Sequence, residues 1–159
     1  MLHRLKLLFF CLLSVLLISC SPDTSKQVFQ DASGKTVQLA GLYGKWVIVN
    51  YWALWCDGCL KEIPELNHFY QTRSNDVVMY GVNFDQLPPD MLPKAIKTAQ
   101  IAFPVLTTSP SVAWHLDDVS VLPTTFILNP QGKVVKVIVG TSTAKSLQAV
   151  LQQLQAQDS

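Results

Sequence analysis

Residues 46–59 read WVIVNYWALWCDGC. Trp46 to Trp52 make a near-continuous apolar run with β-branched and aromatic side chains, the pattern of a parallel strand buried on both faces. Cys56 and Cys59 follow, three residues apart, where the apolar run gives way to helical spacing. Ile63, Leu66, Phe69 and Tyr70 then fall on one face of a helix expected from about Cys56 to Thr72. Pro64 inside that helix lacks a backbone donor and predicts a kink. The junction of strand and helix carries the chemistry. The first turn of a helix has unpaired N–H groups and the positive end of the macrodipole, and both stabilise an anion. A thiolate held there has a lowered pKa, and the thiolate is the attacking species.

Working outward, residues 27–39 (QVFQDASGKTVQL) hold two short β-like runs around Ser33-Gly34-Lys35, a hairpin signal. Residues 76–84 (DVVMYGVNF) read as a second buried strand, and residues 90–100 as a helix with Pro93 tolerated near its first turn. A short helix is expected over 110–116. Residues 124–129 and 133–139 read as two strands joined by Asn129-Pro130-Gln131-Gly132, a turn signal. Leu147, Val150, Leu151 and Leu154 lie at helical spacing in a final helix over 143–155. The order β–β–β–α–β–α–(α)–β–β–α implies an α/β domain: one mixed central sheet with helices on both faces and an N-terminal hairpin. A right-handed crossover sets strand 76–84 beside strand 46–52.

The chain has 159 residues, 49% of them hydrophobic, which is ample for one core. The formal charge is +1, with no block of like charges, so the footprint of a nucleic-acid binder is absent. Residues 1–6 (MLHRLK) are basic and residues 7–18 (LLFFCLLSVLLI) almost wholly apolar. That run is shorter than the roughly 20 residues of a membrane span. It matches a secretory signal. Its end, Leu17-Ile18-Ser19-Cys20, resembles the bacterial lipobox, in which the cysteine becomes the new N-terminus and carries lipid. The expected division is a signal peptide over 1–19, a lipidated tether over 20–26 and one domain over 27–159. Two or three acyl chains, at roughly 0.8 kcal/mol per buried CH₂, would hold Cys20 in the bilayer. The competing reading is an uncleaved signal anchor. Ser21, by lipobox rules, favours outer-membrane sorting where there are two membranes. Cys11 would leave with the signal.

For Cys56 and Cys59 three other readings stand beside redox exchange. Zinc needs about four ligands, and only His68 and His115 could join the two thiols. A structural disulfide over so small a loop stabilises little. A copper-delivery module would favour one more residue between the cysteines.

Residues 33–59 and 121–132 (VLPTTFILNPQG) resemble the TlpA/ResA-type branch of the thioredoxin superfamily, and the likeness extends over about residues 27–155. The resemblance implies a thioredoxin-like fold and a thiol–disulfide oxidoreductase that needs no metal and no cofactor beyond its two sulfurs. Cys56 matches the nucleophile and Cys59 the buried resolving thiol. Pro123 matches the family's cis-proline beside the dithiol, and Leu122 would offer backbone hydrogen bonds to an extended substrate. Trp55 would shield one side of the dithiol. Glu62, one helical turn beyond Cys59, matches an acidic residue that could shuttle the proton of Cys59. The plainer reading of Glu62 is a surface residue paired with a lysine. Asn50 stands where cytoplasmic thioredoxins carry a buried Asp. Asp57 opposes a thiolate on Cys56 and so leans towards a reductant. The partners implied are protein disulfides and thiols such as apocytochrome c, and a membrane electron donor of the DsbD/CcdA type. The place of work implied is the periplasmic or outer side of a membrane. A thiol oxidase or isomerase of the same fold remains the alternative direction.

Overall fold

The computed structural model describes residues 28–158. The expected signal peptide, Cys20 and the tether lie outside them. Strands β1 (Val28–Gln30) and β2 (Thr36–Gln38) form the hairpin, antiparallel, with Phe29 opposite Val37. Asp31 closes its turn, since Oδ1 accepts from Ser33 N at 2.9 Å and Lys35 N at 3.0 Å. A single 3-10 turn, Leu39–Leu42, leads to β3 (Trp46–Trp52), every residue of which is buried.

Helix α1 (Asp57–Thr72) follows, with Cys56 as its N-cap. Pro64 is exposed within α1, which runs on to Thr72, and its missing N–H forfeits the bond to the Leu60 carbonyl. Then come β4 (Val77–Asn83), α2 (Leu92–Ala99), β5 (Val105–Leu106), β6 (Thr124–Leu128), β7 (Val134–Val139) and α3 (Ala144–Asp158). The main sheet runs β5-β4-β3-β6-β7. The β4 and β5 strands lie parallel on one side of β3, whereas β6 pairs antiparallel on its other side and with β7. The sheet is therefore mixed. Asn129 builds the β6–β7 turn through Oδ1 to Lys133 N, with Gly132 at φ +75.

One core gathers Ile48, Met79 and Ile127 from the sheet with Leu66 and Phe69 of α1 and Leu147 and Leu151 of α3. The other gathers Val47, Val49 and Phe126 with the hairpin, Leu39, Leu42 and Trp114. A third joins α2 to Trp52, Cys59 and Ile63.

The expected helix over 110–116 is instead a wound turn. Trp114 N bonds Pro110 O and Leu116 N bonds Ser111 O, a widening spiral that ends at His115 with φ +50. The apolar spacing there serves to seat Ala113, Trp114 and Leu116 in the core, which a turn does as well as a helix. The two-residue β5 carried no separate signal.

Gly81 is the tight point of β4. A Cβ there would stand 3.0 Å from Phe103 Cε2, 3.1 Å from Val105 Cγ2 and 3.3 Å from Trp52 Nε1. Gly81→Ala is expected to lower the unfolding free energy by about 1–3 kcal/mol, the usual cost of overpacking. Denaturant unfolding of the oxidised protein checks it, and an unchanged midpoint would refute the tight fit.

Candidate active site

Because β3 is paired on both edges, its C-terminal end is fixed, and the chain leaves it through Ala53-Leu54-Trp55 into the first turn of α1. Cys56 caps that helix in extended geometry, and its Sγ accepts the Cys59 N–H at 3.1 Å. This is the anion-stabilising position that the sequence implied. Cys56 and Cys59 form a disulfide with Cα atoms 5.2 Å apart. Both cysteines are buried, Cys56 with 7% of its surface exposed and Cys59 with none, so Cys56 is the more accessible of the pair. Asp57, the first residue of α1, is exposed.

The structure brings several of the sequence candidates together. The Leu122–Pro123 peptide is cis, and Pro123 is buried. Its ring lies against Gly58 between the cysteines, where an added Cβ would be 3.4 Å from Pro123 Cδ. Leu122 is half-buried and packs into the cluster that holds both cysteines. The Pro123 carbonyl accepts from Gly140 N, which ties this segment to the loop before α3. Trp55 is 63% exposed beside the dithiol. It is not loose: its indole N–H donates to Asp85 Oδ1 at 3.0 Å, and its ring meets the edge of Phe84 at 6.0 Å. His68 and His115 are exposed.

Glu62 is buried, with 2% of its surface exposed, which removes the reading as a surface residue paired with a lysine. Its Oε1 accepts from Asn50 Nδ2 at 2.8 Å and its Oε2 from Ser142 N at 2.8 Å. Burial pushes the Glu62 carboxyl above its ordinary value of 4.5; the Ser142 and Asn50 hydrogen bonds, which favour the charged form, only partly oppose it. Asn50 also donates to Thr125 Oγ1 at 3.0 Å.

Sequence reasoning missed three partners. Asp85 was within reach of it, since strands 46–52 and 76–84 were expected side by side and both end at this edge. Thr125 faces Asn50 only through the antiparallel register of β3 and β6. Ser142 acts through its backbone N–H, which has no signature in the sequence.

Comparison with known proteins follows this geometry. The model of the AhpC/TSA family matches residues 19–137. ResA of Bacillus subtilis, a thiol–disulfide oxidoreductase by name, is 38% identical over 127 residues, which span 79% of this chain and 70% of that protein. Among solved structures, StoA of Bacillus subtilis matches with a TM-score of 0.66 at 25% identity, over 77% of this chain and 93% of StoA. An exposed lipoprotein thioredoxin of Streptococcus pneumoniae, Etrx1, gives a TM-score of 0.70 at 23% identity, over 80% of this chain and 98% of Etrx1, a likeness of fold.

The raised pKa of Glu62 has a consequence for stability. A carboxyl that binds its proton more tightly when folded stabilises the native state fully below 4.5, and that contribution is lost as pH rises through the folded value. Denaturant unfolding of the oxidised protein should therefore show stability declining with pH above 4.5, a decline that Glu62→Gln flattens. The slope is the readout rather than the level, because Gln keeps only one of the two acceptors. An unaltered slope in the variant would rule out the raised titration.

Proposed function

The chain belongs to the AhpC/TSA family and, within it, to the ResA-type thiol–disulfide oxidoreductases of thioredoxin-like fold, and from that membership we propose a membrane-tethered reductant of protein disulfides that works outside the cytoplasm. The observation that carries the proposal is the cysteine pair bonded at the first turn of α1, Cys56 with a little exposed surface and Cys59 with none.

In the reduced enzyme the Cys56 thiolate attacks a substrate disulfide. A bond forms between Cys56 Sγ and one substrate sulfur, and the other substrate sulfur leaves as a thiolate. Cys59 gives its proton to the Glu62 carboxylate and attacks Cys56 Sγ. The mixed disulfide breaks, the second substrate thiolate leaves, and the enzyme holds the Cys56–Cys59 bond. Two electrons have passed to the substrate, and the proton on Glu62 is available to the departing sulfur or to solvent. The cis Leu122–Pro123 segment and Trp55 border the approach to Cys56 and are the surfaces a substrate strand would meet.

Local charge leans the same way. Asp57 destabilises a thiolate on its neighbour, which disfavours the reduced form and lowers the potential. A reductant in an oxidising compartment must be recharged. A membrane donor of the DsbD/CcdA type, supplying a dithiol to the same sulfur, fits that need, with apocytochrome c among the client proteins. Anchorage through Cys20 rests on the basic start, the apolar run over 7–18 and Ser19 before the cysteine. Ser21 then favours the outer membrane where one exists.

Cys59→Ser is expected to stop the cycle at the mixed disulfide and to retain covalently bound client proteins, separable by non-reducing electrophoresis. The equilibrium potential of the parent enzyme should fall near that of thioredoxin, about −270 mV. A value near −120 mV, as in strong oxidants, would reverse the proposed direction. For the anchor, Cys20→Ser should abolish incorporation of labelled fatty acid and move the protein from the membrane to the soluble fraction. Retention of both label and membrane association would exclude lipidation at that residue.

A further inference from the structure

Asn50 stands in the middle of β3 with no exposed surface. Both hydrogens of its amide are used: one on Glu62 Oε1 at 2.8 Å, the other on Thr125 Oγ1 at 3.0 Å. Its carbonyl oxygen finds no hydrogen-bond partner among the described residues. A buried amide kept for packing or stability alone would satisfy its acceptor as well, since an orphaned buried oxygen costs about 1–3 kcal/mol. An apolar side chain of similar volume would escape that cost. What this residue supplies is its donors, one of which goes to the buried carboxylate of Glu62, one helical turn beyond Cys59.

We propose that Asn50 is a positioning residue for the resolving step, its amide braced on Thr125 and holding the Glu62 carboxylate in a fixed orientation one helical turn from Cys59. The inference rests on the reading of Glu62 as the proton acceptor of Cys59. The brace has three points. Thr125 on β6 fixes the amide, the amide fixes Oε1, and Ser142 N in the loop before α3 fixes Oε2. The carboxylate is thus pinned between the central sheet and the N-terminal end of α3.

The chemistry of the donor matters as much as its place. A neutral amide N–H favours the charged carboxylate over the acid, so it keeps a buried group available as a base. An aspartate at this position would do the reverse, because two carboxyls at hydrogen-bond distance share one proton. Of the other carboxylates on this helix, Asp57 and Glu65 are exposed, and Glu65 accepts from Ala144 N.

The test separates Asn50 from Glu62. A mixed disulfide is formed between Cys56 and thionitrobenzoate, and its release as Cys59 attacks is followed by absorbance against pH. Asn50→Leu should move the inflection of that profile upward and slow release about tenfold at pH values below it, the worth of one hydrogen bond to a charged group. Thr125→Val, which removes the brace with little change of shape, should move it the same way by less. In a Glu62→Gln background neither change should have any further effect. In parallel, the ¹³C carboxyl signal of Glu62 in the oxidised protein should titrate at higher pH in Asn50→Leu than in the parent. A Glu62 signal that titrates identically in parent, Asn50→Leu and Thr125→Val would overturn the positioning role and leave Glu62 as the acceptor. A release profile unaffected by Glu62→Gln would overturn the acceptor reading itself and the proposal with it.

Discussion

The hydrogen bonding of β3 on both of its edges is the constraint from which the site follows. Parallel pairing to β4 and antiparallel pairing to β6 leave the strand no freedom of register, since a slip of one residue would exchange its two buried faces. Its last residue therefore ends at a fixed height in the sheet, and Cys56, the N-cap of α1, stands four residues on. The same register brings other parts to that edge. β4 ends beside Trp52 and delivers Phe84 and Asp85 to Trp55, and β6 begins opposite Tyr51 and delivers Pro123 to Gly58. Segments separated by 65 residues meet at one pair of sulfurs because three strands share one ladder.

Around those sulfurs, opposing electrostatic effects are set at short range. The N-terminal end of α1 and the Cys59 N–H favour charge on Cys56, whereas Asp57 next to it opposes charge. Burial disfavours charge on Glu62, whereas Ser142 N–H and the Asn50 amide favour it. Each group is thus held between two terms of similar origin, a helix terminus or amide dipole on one side and a like charge or a dry environment on the other. Such groups change their proton affinity when a partner covers them or a bond rearranges nearby, and thiol–disulfide exchange does both.

The sequence reading recovered every strand but β5, the three α-helices and the dithiol for one reason: each left a periodic or punctuated trace. The seven-residue apolar run of β3, the 3.6-residue period of α1 and the Asn-Pro-Gln-Gly turn are such traces. The turn over 110–116 was misread because apolar residues at that spacing suit a spiral of any pitch, and only the hydrogen bonds tell them apart. The cysteines and Glu62 were legible from spacing and resemblance, but burial of Glu62 was left open, since a carboxyl on an amphipathic helix ordinarily faces water. Asn50 was seen only as a departure from an aspartate. Its work was invisible because it depends on Thr125, which lies 75 positions away, and on a backbone N–H that any residue could supply.

The unequal burial of the two sulfurs decides more than accessibility. Both lie on one helical turn, and both could in principle attack. A protein disulfide brings bulk with it, so the cysteine that keeps some exposed surface is the one it can meet, and that is Cys56. Cys59 has no exposed surface, and its only reachable electrophile is the sulfur of Cys56 once that sulfur is bonded to a substrate. The order of the two attacks is therefore imposed by geometry and does not require that the two thiols differ widely in acidity. What the buried thiol does require is somewhere to leave its proton without water, and the nearest carboxyl on its own helix face is Glu62, pinned by two donors. With Glu62 as the proposed base, the paired sulfurs and the braced carboxylate form one device: unequal burial sets the order of attack, and the buried carboxylate takes the proton that the second attack releases.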